Sequence, residues 1–126
     1  MELFDFVLID DNNLDNLINE TLVRNSGVGG SVLVFNSAKS ALDYFKKIPI
    51  HSSKVILLDQ HMPDMEGTDF IKELNDHLKG ISHIYTVILL THDAAYVNMK
   101  KDYPNIKDVW CKPLKIANLE HLMQAD

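Results

Sequence analysis

The sequence predicts one α/β domain built on a parallel sheet with helices on both faces. Short apolar runs recur along the 126 residues and alternate with segments whose apolar side chains fall at helical spacing. Most of these runs are continuous rather than alternating, the pattern of strands buried on both faces. The connections between them are a few residues long, which suits successive strand-helix crossovers. A chain of this length buries one good core and is too short for two, so residues 1–126 read as a single domain with nothing left over for an output domain.

The first strand is Phe4, Phe6, Val7, Leu8 and Ile9, stopping at Asp10 and Asp11. Asn12 or Asn13 caps a helix whose inward face is expected to be Leu14, Leu17, Ile18 and Leu22. Asn25-Ser26-Gly27 ends that helix, Gly29-Gly30 reads as a turn, and Ser31 to Phe35 form a second strand. Ser37 caps the next helix, with Ala38, Ala41, Leu42 and Phe45 inward and Pro49 closing the segment. The central strand, Val55 to Leu58, runs into Asp59 and then into a Pro/Gly turn, Met62-Pro63 to Gly67. A third helix carries Phe70, Ile71, Leu74 and Leu78 inward and breaks at Gly80. Tyr85 to Leu90 is a fourth strand ending at Thr91. Residues 92–101 are helical by composition, with Asp93 as cap and weak periodicity. Ile106 to Cys111 is a fifth strand ending at Lys112-Pro113, and Ile116, Leu119, Leu122 and Met123 mark a last helix.

Composition narrows the function. With 46% hydrophobic and 24% charged residues the chain is an ordinary globular one, and no apolar stretch approaches the roughly 20 residues of a membrane span. The amino terminus has no basic segment before its apolar run, which argues for a cytoplasmic protein. One cysteine, Cys111, forms no internal disulfide and reads as a small core hydrophobe; His51, His77, His83 and His121 read as surface residues. A net charge of -6 supplies no field for a phosphate backbone, so neither nucleic acid nor membrane is an expected direct partner.

In open α/β sheets ligands bind outside the carboxyl ends of the strands. Those ends here hold Asp10 and Asp11, Asp59, Thr91 and Lys112. Three converging carboxylates repel one another unless a cation sits among them, and oxygen-only ligands with room for water favour Mg²⁺. A carboxylate beside such a metal can act as a nucleophile on phosphorus. The metal, the Lys112 ammonium and the Thr91 hydroxyl can then each take one equatorial phosphoryl oxygen.

Taken together, Asp10-Asp11, the run Asp59-x-x-Met62-Pro63-x-Met65-x-Gly67, Thr91 and Lys112-Pro113 resemble the receiver domain of response regulators in two-component signalling, over essentially the whole chain. The resemblance implies a flavodoxin-like (βα)5 fold, doubly wound, with strand order 2-1-3-4-5. It implies Asp59 as phosphoacceptor from a sensor histidine kinase or a histidine phosphotransfer protein, and Mg²⁺ held by Asp11, Asp59 and the backbone carbonyl of His61, with Asp10 acting through water. It also implies phosphoryl contacts from Thr91 and Lys112, a cis peptide before Pro113, and a monomer or weak dimer that signals by docking to a downstream protein. Such a protein is no enzyme beyond its own phosphorylation and dephosphorylation.

Two departures from the family pattern stand out. His92 follows the hydroxyl residue where a small residue is usual, and His61 occupies the tuning position two after the acceptor, so the two imidazoles are expected to shield the acyl phosphate. The aromatic switch expected three residues before the lysine is replaced by Val109, with Trp110 one place later and therefore on the opposite strand face. The expected docking face combines the segment 92–101, the fifth strand and the last helix, with Tyr96, Val97, Met99, Tyr103 and Asn118 as candidates; Trp110, Tyr96 and Tyr103 read either as ordinary packing or as part of an exposed docking patch. Two rival readings are a receiver-like binding module that is never phosphorylated, and a phosphatase or phosphotransferase working through an aspartyl phosphate. Against the second, His61 stands where haloacid-dehalogenase-type enzymes carry another Asp, and no Gly-rich phosphate loop is present.

Overall fold

The computed structural model describes residues 3–49, 51–81, 84–93, 95–96 and 103–124. Five strands form one parallel sheet: β1 (Phe4–Ile9), β2 (Gly29–Phe35), β3 (Lys54–Asp59), β4 (Tyr85–Thr91) and β5 (Ile106–Cys111). Their order is β2-β1-β3-β4-β5, as the resemblance implies. Four helices are described: α1 (Asn13–Ser26), α2 (Ala38–Lys47), α3 (Gly67–Leu78) and α4 (Ile116–Gln124). The helix expected at 92–101 lies mostly outside the described residues, as do Val97 and Met99; within it, the Asp93 carboxylate accepts the Ala95 N–H.

Two apolar layers sandwich the sheet. On one face α2 and α3 bury Ala41, Phe45, Phe70, Ile71 and Leu74 against Val7, Ile56, Leu58 and Leu89. On the other, α1 and α4 bury Val23, Leu119 and Leu122 against Phe6, Leu8, Leu57, Ile88 and Trp110. Val109 belongs to the first layer and Trp110 to the second, as strand alternation requires. The strand order reverses between β1 and β3, and both Asp10 and Asp59 emerge there.

Several local expectations need correction. Asn12 caps α1 through its side chain, but Leu14, Leu17 and Ile18 are 63%, 60% and 48% exposed, and Asn16, Asn19 and Val23 are the buried residues. The reason is polar: Asn16 Nδ2 donates to the carbonyls of Asp10 and Phe35, bonding α1 to the ends of β1 and β2. Of the expected stripe only Leu22 packs against the core. Gly29 and Gly30 are the first residues of β2 rather than a turn, and the left-handed turn falls on Gly27 at φ 81°. Cys111 is exposed, because it sits at the strand end where cover stops. His51 is half-buried, with Nδ1 2.6 Å from the Tyr85 hydroxyl. Trp110 is buried, its indole N–H donating to Asp108, which decides between its two readings in favour of packing.

Candidate functional site

The site is built by β1, β3 and β5 delivering side chains to one edge of the sheet. β1 hydrogen-bonds β3 in register up to Ile9 and Leu58, so the next residues, Asp10 and Asp59, leave the sheet side by side. Both are nearly inaccessible, at 2% and 5% exposure. Asp10 is fixed by its neighbours: its N–H donates to the Phe35 carbonyl, and its Oδ1 accepts the Asn12 N–H at 2.9 Å. Asp59 Oδ1 accepts the His61 N–H at 3.3 Å. Exposed Asp11 completes a set of three whose carboxylate oxygens all lie within 4.8 Å of one another.

Lys112 reaches this set from the far edge strand. Its N–H donates to the Thr91 carbonyl, and a cis bond joins it to Pro113. The ammonium lies 2.8 Å from Asp10, 3.2 Å from Asp59 and 3.2 Å from Asp15. Burial by itself would lower the lysine's pKa, but the hydrogen bond and charge of Asp10, then Asp59 and Asp15, hold it above the usual range. Asp59 is shifted the other way for an acid. Burial first, and the Asp10 charge second, push its carboxyl up to about 6 against the pull of Lys112 and the His61 N–H. One ammonium is too little for this many carboxylates, and a divalent cation would relieve the remaining repulsion. The donor set fits Mg²⁺: hard oxygens only, with Asp11 at an open rim where water can complete the coordination.

The remaining expected residues surround the cleft. It is lined by Asp10, Asp11, Asn12, Asp15, Asp59, His61, His92 and Lys112. His61 and His92 are exposed at its mouth, and the His61 ring packs edge-on against Tyr96 with centroids 5.2 Å apart. Thr91 is fully buried; its hydroxyl accepts the Asp93 N–H at 3.0 Å and does not line the cleft. Tyr103 is exposed, away from the cleft.

Four site-shaping residues escaped the sequence reading. Asp15 is the third carboxylate on Lys112, and its signal is its place one helical turn after Asp11. Asn16, beside it, ties α1 to β1, and its Oδ1 is buried with no hydrogen-bond partner among the described residues. Gln60, directly after the acceptor, spends its side chain on the start of α3, accepting the Thr68 N–H and donating to Glu66. Asp64 accepts the first N–H groups of α2, bracing the loop that follows the acceptor. Gly67 is where this loop closes: a Cβ there would lie 2.9 Å from the Asp59 carbonyl oxygen and 2.8 Å from Leu89.

Known proteins share this fold. A family model described as the response regulator receiver domain matches residues 6–124. Among solved structures, a response regulator receiver protein from Dyadobacter fermentans is 28% identical with a TM-score of 0.82, covering 96% of this chain and 95% of its own. A two-component response regulator from Cytophaga hutchinsonii shares the fold at 22% identity and a TM-score of 0.85, over 98% of this chain and 96% of its own. The receiver domain of Saccharomyces cerevisiae Ssk1, solved with the histidine phosphotransfer protein Ypd1, matches at 17% identity and a TM-score of 0.76, covering 98% and 88%. No curated protein matches the sequence significantly.

Proposed function

The chain belongs to the response regulator receiver family, and from that membership we propose that it takes a phosphoryl group onto Asp59 from a partner's phosphohistidine and passes the signal on by protein docking. The observation that carries this is the Lys112 ammonium 3.2 Å from a buried Asp59, with Asp10 and Asp11 within one cation's reach of it. Ionised Asp59 attacks phosphorus; the new O–P bond forms as the P–N bond to the donor's imidazole breaks, and the imidazole leaves with that electron pair and takes up a proton. Lys112, already charged, turns from the carboxylates to an equatorial phosphoryl oxygen, and the Thr91 hydroxyl trades the Asp93 N–H for another. Asp11, Asp59 and the His61 carbonyl would hold Mg²⁺, with Asp10 acting through water, and the ion when bound neutralises the carboxylates and the charge spread over the phosphoryl oxygens. His61 and His92, at the mouth, slow the approach of water to the acyl phosphate. The chain catalyses only its own phosphorylation and dephosphorylation.

The donor must bring its histidine to the mouth of the cleft. Exposed Leu14, next to Asp15, begins an apolar stripe with Leu17 and Ile18 that a protein donor can cover while its imidazole faces Asp59. The deciding experiment is intact mass and Phos-tag analysis after acetyl phosphate and Mg²⁺, comparing the native protein with Asp59→Asn. One phosphoryl group on the native protein and none on the variant is expected; equal labelling of both overturns the assignment. In the same assay His61→Ala/His92→Ala shortens the lifetime of the acyl phosphate, and an unchanged lifetime removes the shielding role.

A further inference from the structure

The two edges of the sheet are unequally protected. β5 carries Lys107, exposed, and Asp108, and its register against β4 shifts between Val87 and Ile88. Charges and irregularities of this kind keep an edge from pairing with another chain. β2 has neither. Residues 25–38 contain no charged side chain and no proline, and β2 lies at the other end of the sheet with no strand on its outer side among the described residues. Leu33 and Val34, which alternation places on opposite faces of the strand, are 37% and 40% exposed. On the α1 side, an open groove of about 530 Å³ beside that edge is lined by Leu17, Val34 and Phe35 together with polar Asn16 and Asn36 and the charged Glu20.

We propose that the chain pairs with a second copy of itself through β2, the two strands running antiparallel about a two-fold axis at Leu33. The register follows from the backbone. The Phe35 carbonyl points to β1, where it accepts the Asp10 N–H, so the groups of Leu33 also point inward and those of Val32 and Val34 point outward. About a two-fold at Leu33, Val32 of each copy exchanges hydrogen bonds with Val34 of the other, and the two Leu33 side chains meet as a non-hydrogen-bonded pair. Both exposed apolar residues of the edge are thereby covered by the same strand. The self-match is what selects a second copy over a foreign strand. The seam also lies in the uncharged segment, so the two paired strands set no like charges directly opposite each other although each chain has a net charge of -6. This inference does not depend on the phosphoryl chemistry.

Sedimentation equilibrium on the full chain, from micromolar to near-millimolar concentration, tests it. A reversible dimer is expected, weakened about tenfold or more by Leu33→Lys and by Val34→Lys, with unchanged far-UV circular dichroism. Leu33→Cys in a Cys111→Ser background supplies a second readout. Facing α-carbons of a non-hydrogen-bonded pair sit about 4.5 Å apart, within the span of a disulfide, so mild oxidation links two chains, whereas Ser31→Cys in the same background does not link. A monomer at every concentration, a dimer indifferent to both lysines, an open-ended aggregate, or cross-linking no faster at position 33 than at 31 overturns the proposal.

Discussion

The acceptor cleft and the α1–β2 flank lie a few residues apart and follow opposite rules. At the cleft, polar side chains converge, and each is held by a neighbour: Asp10 by Asn12 and Lys112, Asp59 by His61 and Lys112. At the flank, Leu14, Leu17, Ile18, Leu33 and Val34 are exposed while Asn16 and Asn19 are buried. Hydropathy is thus inverted in both places. In the cleft the inversion concentrates charge for chemistry; on the flank it spends a helix's polar face on holding Asp10 and leaves its apolar face for another protein. The cleft should therefore be sensitive to single atoms, and the flank should matter only when a partner is present.

The largest effect is expected from Lys112→Ala. It removes the ammonium that faces Asp10, Asp15 and Asp59 and the charge that would meet the phosphoryl group. Loss of one such electrostatic contact costs about 10²–10³ in rate, read as initial labelling from acetyl phosphate. Stripping a buried charge network of its partner also destabilises by about 3–5 kcal/mol at neutral pH, less once Mg²⁺ is added. A variant labelled at the native rate would reduce Lys112 to a structural ion-pair residue.

Gly67→Ala tests how tightly the acceptor is held from below. The added methyl meets a backbone oxygen at 2.9 Å, and backbone gives way less readily than the tip of a side chain. A loss of about 1–3 kcal/mol in urea denaturation is expected, with slower labelling as the Asp59 backbone shifts. At exposed Gly30 the same methyl would meet the tip of the Asp5 side chain at 3.0 Å and a backbone oxygen only at 3.4 Å, so it lacks the backbone clash.

The legibility of these two regions differs for the same reason. Strand ends are marked by an abrupt change from apolar to reactive residues, so Asp10, Asp11, Asp59, Thr91 and Lys112 stand out, and the parallel sheet follows from the continuous runs that precede them. The inward face of α1 is not marked that way. Asn12, Asn16, Asn19 and Val23 repeat at helical spacing as regularly as Leu14, Leu17, Ile18 and Leu22, and apolar content favours the wrong stripe. Only the bonds from Asn16 to the Asp10 and Phe35 carbonyls decide between them, and those depend on tertiary position. The surroundings of Cys111 and His51 are illegible for the same reason, because exposure at a strand end and a contact with Tyr85 are set by neighbours far along the chain.

The strain in the cleft has a pH signature. The Asp59 carboxyl is pushed up to about 6 in the fold, against an ordinary value of 3.8, so the folded state favours its protonated form. Below 3.8 the group is protonated in both states and contributes no difference. As pH rises from 3.8 through about 6 the native protein loses stability from this site, and above that the loss is constant. Asp59→Asn should therefore match the native protein near pH 3.5 and exceed it at pH 7 by about 1–3 kcal/mol, measured by denaturation in a chelating buffer. An equal gap at both pH values would assign the gain to packing instead of charge.

The smallest effect in the isolated protein is expected on the flank, and there it is the absence of an effect that is informative. Leu14→Lys and Ile18→Lys place charge where the native apolar side chains already face water, so unfolding free energies should stay within about 0.5 kcal/mol of the native protein. A residue packed against the core behaves otherwise: Leu74→Ala, at a fully buried position, should cost about 2–5 kcal/mol. The flank variants should take phosphate from acetyl phosphate at the native rate, since a small donor needs no docking surface. With a phosphohistidine-bearing protein as donor the same variants should slow severalfold, because the stripe beside the cleft no longer offers apolar area to cover. If both donors slow equally, Leu14 and Ile18 act through the shape of the cleft, and the separation between a chemical region and a docking region fails.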